Sequence, residues 1–164
     1  MSELIGALRP GPDGTTVRFE RRYATAPADL WSAVTEPERL SRWLGPVYGD
    51  LRAGGRYELR MGDDVAGAAE NATGLIRECV SPSRLVIDWL FPGESTTRVE
   101  VEIRPDGDGA VLVLAHLGLE KSTARGYGAG WHASLAQLTD HLAGDPVRAW
   151  DQLYAAAVPL YPTD

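Results

Sequence analysis

Cysteine is nearly absent from this chain: Cys79 stands alone among 164 residues, so no intrachain disulfide can form. One cysteine suits a reducing compartment, and a cytoplasmic location is the expectation. Lysine is as scarce, with Lys121 the single instance. The arginines are scattered among acids, and the formal net charge is -7. Without a basic stripe, neither nucleic acid nor an anionic membrane surface is an expected partner. No stretch approaches the roughly 18 apolar residues of a membrane span. Met1-Ser2-Glu3 opens without the basic and apolar regions of a signal peptide. No two histidines stand at i, i+4 and no Cys/His/Asp cluster has ligand spacing, so neither a metal nor a cofactor is expected. Internal repeats and low-complexity tracts are missing too.

What remains is the pattern of one domain. Residues 1–14 hold two prolines and three glycines and read as a flexible arm. Thr15 to Ala24 alternates, with Val17, Phe19 and Tyr23 on one face, as a half-buried strand does. Pro27 then suits the first turn of a helix reaching Thr35, and Pro37 opens a second one through Trp43. Period-two alternation predicts strands over 56–61, 73–80, 84–91, 97–104 and 110–117. Tyr127, Trp131, Leu135, Leu138 and Leu142 form one helical stripe ending near Ala143, with Gly144 as C-cap. Asp145-Pro146 restarts a short helix that carries Trp150, Leu153 and Tyr154 on one side. The expected fold class is α+β: a curved antiparallel meander of about six or seven strands wrapped around a long C-terminal helix, with two short helices after the first strand. Domain boundaries fall at 15–143 for the core and 144–164 for a helical tail packing on the domain or on a dimer mate.

Several short motifs occur in a telling order: Ala26-Pro27, Leu30-Trp31, Pro37-Glu38, Trp43, Gly54-Gly55, Gly74-Leu75-Ile76-Arg77-Glu78, Pro82-Ser83-Arg84-Leu85, Trp89, His116 and Gly130-Trp131 above Leu135 and Leu138. From about Val17 to Leu142 the chain resembles the activator of Hsp90 ATPase homologue-like family of the START-related, Bet v 1-like superfamily. The resemblance implies the helix-grip fold and a cavity between sheet and long helix. It also implies members that bind hydrophobic small molecules or activate a chaperone, and it carries no agreed catalytic set. One departure stands out. Val111, Val113, Ala115 and Leu117 make the outer face of a strand apolar where the family often has polar residues. Such a face needs a cover. The Trp150, Leu153 and Tyr154 side of the tail, from the same chain or from a homodimer mate, is the expected one.

Inward faces and helix stripes gather an aromatic set suited to a hydrophobic small molecule. The expected lining is Trp43, Tyr57, Leu59, Met61, Trp89, Phe91, Leu112, Leu114, His116, Tyr127 and Trp131. Plain core packing is the simpler reading for Trp31 and Trp131. For His116 it is a hydrogen bond at the core rim, ahead of acid–base work. His132 is placed at the edge of the helix stripe and His141 in solvent. Cys79 reads as a structural cysteine. Asp63, Asp64, Glu70 and Asn71 read as a solvated hairpin loop ahead of a cation site. Gly126, Gly128 and Gly130 weaken the start of the long helix and suggest a portal. Three functions compete: non-catalytic binding of a hydrophobic small molecule, a co-chaperone-like protein-interaction module with a filled core, and a polyketide cyclase-type enzyme using His116 with Tyr57 or Glu78.

Overall fold

A computed structural model describes residues 5–62 and 64–161. Eight strands form one antiparallel sheet in the order β1-β2-β8-β7-β6-β5-β4-β3. They are β1 Ala7–Gly11, β2 Gly14–Tyr23, β3 Val47–Gly49, β4 Arg56–Leu59, β5 Ala72–Val80, β6 Arg84–Trp89, β7 Thr97–Asp106 and β8 Gly109–Leu119. Helices α1 (Pro27–Thr35) and α2 (Pro37–Trp43) follow β2, and α3 (Lys121–Ala143) and α4 (Trp150–Ala157) follow β8. The helix-grip architecture is as expected, with two further strands. β1 lies inside the stretch read as an arm, where its prolines and glycines hide it. It pairs with β2 in register from Ala7↔Arg18 to Gly11↔Gly14. β3 is only three residues long, too short to show a period.

The longer strands, such as β2 and β7, turn alternate side chains to the core, and bulges adjust the phase. In β5 the register shifts between Ile76 and Glu78. Ile76 therefore faces the core before the shift and Cys79 packs against it after, while Glu78 points out and ion-pairs with Arg84 at 3.2 Å. Cys79 is half-buried, its Sγ lies 3.9 Å from the Leu51 carbonyl, and burial pushes the thiol pKa up. Asp64 bonds Tyr48 and Arg60 in the hairpin loop, and Asp63 lies outside the described residues. Among the described residues no cluster of metal-ligating side chains forms.

Within the chain, the apolar outer face of β8 is covered by neighbouring side chains of the sheet and not by the tail. Val111 and Val113 are only 8% and 7% exposed. Their cross-strand neighbours are Arg22 and Glu20 on β2 and Arg104 and Glu102 on β7. Arg104 reaches across β8 to Glu20 at 2.9 Å, and Arg84 on β6 pairs with Glu102 at 2.7 Å. The aliphatic stems of these long side chains lie over the valines while their heads stay in water.

The tail sits instead against α3. Its register is held by Arg148, whose guanidinium and backbone N–H bond the Asp140 carboxylate, and by Gln137, which donates to the Arg148 carbonyl. Trp150 Nε1 donates to Ser134 Oγ at 3.2 Å. Arg125 donates to the carbonyls of Tyr161 and Val158. Helix α3 starts at Lys121, six residues before its apolar stripe, so the glycines lie within continuous helix. A Cβ on Gly128 would stand 2.9 Å from the Tyr161 ring, whereas Cβ atoms on Gly126 and Gly130 would meet Tyr154 and Trp150 at an ordinary 3.6 Å. The three alanine variants should therefore differ in sign. Gly128→Ala is expected to destabilise by about 1–3 kcal/mol through overpacking. Gly126→Ala and Gly130→Ala should gain up to about 1 kcal/mol of helix propensity. Urea midpoints check this; a stabilised Gly128→Ala would contradict the packing.

Candidate functional site

Two hollows flank the α3 aromatics. The inner one lies between sheet and helix, is almost wholly apolar, and has a volume of about 80 Å³. That is about half the volume of the engineered apolar cavity known to hold a benzene, of order 150 Å³. The outer one is a solvent-open cleft of about 660 Å³ between α3, α4, the end of β4 and the loop after β6. Its size falls within the usual range for small-molecule sites, roughly 300–1,000 Å³. Trp89 and Trp131 line both and form the partition.

Hydrogen bonds fix that partition. Trp131 Nε1 donates to His116 Nδ1 at 2.9 Å. An indole N–H can only donate, so Nδ1 carries no proton and Nε2–H is left to donate to Thr97 Oγ1 at 2.7 Å. His116 is fully buried, and desolvation lowers its pKa to about 3. It is a neutral histidine with both nitrogens engaged. Trp89 Nε1 donates to the Tyr127 hydroxyl at 3.0 Å, and that hydroxyl donates to Glu94 Oε1 at 2.6 Å. Burial, and then the Glu94 bond, push the Tyr127 phenol pKa up. The rings also pack together, Trp89 and Trp131 tilted with centroids 5.6 Å apart and His116 and Tyr127 edge-on with centroids 4.6 Å apart.

The expected lining splits between the two spaces. Trp43, Tyr57, Leu112 and Leu114 line the inner hollow, and Leu59, Met61, Phe91 and Tyr127 line the cleft. Trp43 is pinned by its N–H to the Ala33 carbonyl at 2.9 Å. The Tyr57 hydroxyl makes no hydrogen bond among the described residues, and desolvation pushes its phenol pKa up. His116 lines neither space; it lies behind Trp131 as that ring's support. Nor is it brought to Glu78, which is exposed and paired with Arg84, so that acid–base constellation does not assemble. His132 is buried rather than at an edge, its Nδ1 2.9 Å from the Tyr161 hydroxyl. His141 is half-buried and accepts from Arg39 Nε.

Sequence reasoning missed the far wall of the cleft. Trp150 and Tyr154 stack with centroids 4.7 Å apart and close it from the tail side. Their period on α4 marked an apolar face but not which partner it met. Gly126 and Gly130 floor the cleft where larger residues would fill it. Arg60, Glu94 and Asp151 line it as well. Nothing in the local pattern of a loop acid such as Glu94 points to a cleft.

An antiparallel sheet gripping one long helix, with an aromatic-walled hollow beside it, is the helix-grip fold of the Bet v 1-like superfamily. The family model described as Activator of Hsp90 ATPase homolog 1-like protein matches residues 24–143, and the chain belongs to that family. Among solved structures it is similar to CalU16 from Micromonospora echinospora, at 31% identity over 95% of this chain and 94% of that one, with a TM-score of 0.78. It shares the fold of DynU16, a protein of the dynemicin biosynthetic locus (22% identity, 82% and 49% covered, TM-score 0.72). The Aha1 dimer from Colwellia psychrerythraea has the same fold at 13% identity, with 77% and 95% covered and a TM-score of 0.66. No curated protein matches the chain.

Proposed function

We propose that the protein binds a hydrophobic, largely planar small molecule in the outer cleft and does so without chemical turnover. The observation that carries this reading is the ring of six aromatics, Trp89, Phe91, Tyr127, Trp131, Trp150 and Tyr154, around about 660 Å³ of open space. Rigid aromatic walls give a flat ligand large contact area at little entropic loss. A binding role also fits the state of His116, which is neutral and committed to Thr97 and Trp131, leaving no free acid–base histidine nitrogen there. That one solved relative comes from a biosynthetic locus suits a small-molecule cargo.

Tryptophan fluorescence tests it. Trp89, Trp131 and Trp150 surround the cleft, so 9-anthracenemethanol should quench the emission saturably. Trp150→Ala should weaken that binding about tenfold, the worth of one good aromatic contact. Silence to this probe and to fatty acids and sterols alike would refute the reading.

A further inference from the structure

We propose that the cleft selects hydrophobic cations, planar amines or quaternary ammonium compounds whose ring lies between the aromatic walls and whose charge meets Glu94 and Asp151. This rests on the reading of the cleft as the ligand site and adds the ligand's charge.

Three charged residues line the cleft: Arg60, Glu94 and Asp151. Arg60 is already neutralised. Its Nε donates to Glu58 Oε1 at 2.7 Å, its NH1 lies 3.2 Å from Asp64, and its guanidinium stacks 3.7 Å over the Tyr48 ring. In return the hydrogen bond from Arg60 holds the Glu58 carboxyl below the usual range. The two acids have no such compensation. Glu94 accepts from the Tyr127 hydroxyl and makes no ion pair among the described residues. Asp151 makes neither a hydrogen bond nor an ion pair there. Asp151 stands in the first turn of α4, whose dipole offsets part of its charge, but Glu94 lies in a loop with no helix end behind it. The cleft thus carries excess negative charge in a chain of net charge -7. Its walls add to the effect, because the faces of Trp and Tyr rings are the negative ends of their quadrupoles and attract cations. A carboxylate ligand would meet both the acids and the ring faces with the wrong sign.

Three probes that share one ring system separate the terms: 9-(aminomethyl)anthracene, 9-anthracenemethanol and 9-anthracenecarboxylate, titrated at pH 7 and low salt. The amine should bind at least about tenfold more tightly than the alcohol, and the carboxylate most weakly. Raising ionic strength should shrink the amine's advantage. In the double variant Glu94→Gln and Asp151→Asn the amine-to-alcohol affinity ratio should fall to about one. Gln at 94 still offers Tyr127 an acceptor, and a thermal melt confirms that the variant is folded. Equal binding of amine and alcohol in the parent protein, or an undiminished ratio in the double variant, would overturn charge selection while leaving the cleft as the site. Failure of all three probes to bind saturably would overturn both.

Discussion

Replacing Tyr161 with alanine will destabilise the protein by about 3–5 kcal/mol, the usual range for deleting a fully buried aromatic ring. Tyr161 is 2% exposed and packs against Phe19, His132 and the bare backbone of Gly128. Its hydroxyl accepts from the Gly6 N–H at 2.9 Å and bonds His132 Nδ1 at the same distance. One side chain thus joins β1, α3 and the end of the tail. For a domain of this size the loss corresponds to a fall in Tm of roughly 10 °C. Tyr161→Phe keeps the ring and isolates the hydroxyl, whose removal leaves the Gly6 N–H unsatisfied for about 1–3 kcal/mol. The alanine variant should also lose affinity for 9-anthracenemethanol, because releasing Tyr161 frees α4 and with it the Trp150 and Tyr154 wall. A Tm within a degree or two of the parent would show that the tail is not anchored in this way.

The second large effect depends on pH. The folded protein holds His116 neutral with a pKa of about 3, whereas an unfolded chain titrates it near 6.5. Below about pH 6.5 the unfolded state takes up a proton that the native state refuses. Stability from this group is therefore complete above that pH and is lost as pH falls toward 3, by about 1.4 kcal/mol per pH unit. His116→Phe removes the titration. It also strips Trp131 Nε1 of its acceptor and Thr97 Oγ1 of the His116 donor, which should cost about 1–3 kcal/mol at pH 7. Comparing parent and variant by urea denaturation cancels the other titrating groups. The parent's advantage should fall by about 3 kcal/mol between pH 6.5 and pH 4, enough to close the gap or reverse its sign. A gap that is constant with pH would mean that His116 does not resist protonation.

The legible parts of this molecule are those where one physical signal dominates. The Pro27 and Pro37 helix starts, the αL cap at Gly144 and the strands around Val99 and Leu112 each follow from a local rule, and the structure has them there. β1 was hidden because its partners are β2 and backbone bonds, not a buried face; it is almost wholly exposed. The aromatic lining was legible as a set but not as two spaces. Alternation says that Trp89 and Leu59 point inward, and it cannot say that a wall of Trp89 and Trp131 divides the interior. The outer valines of β8 were read as needing a partner because alternation counts apolar atoms and ignores the stems of Arg104, Glu20 and Arg22. Trp150 and Tyr154 misled for a related reason: an amphipathic face states that it is covered, and only the fold states by what.

The hydrogen bond between Gly6 and Tyr161 has a topological consequence. It brings positions 155 residues apart in the chain to one corner of the molecule. A short linker could join residue 161 to residue 6 without disturbing the sheet. New termini could then open in the tight turn between β7 and β8, at Gly107 and Asp108, where the backbone is exposed. In such a circular permutant β1 would follow the tail directly, and the α3 and α4 walls of the cleft would precede in the chain the β4 and β6 segments that complete it.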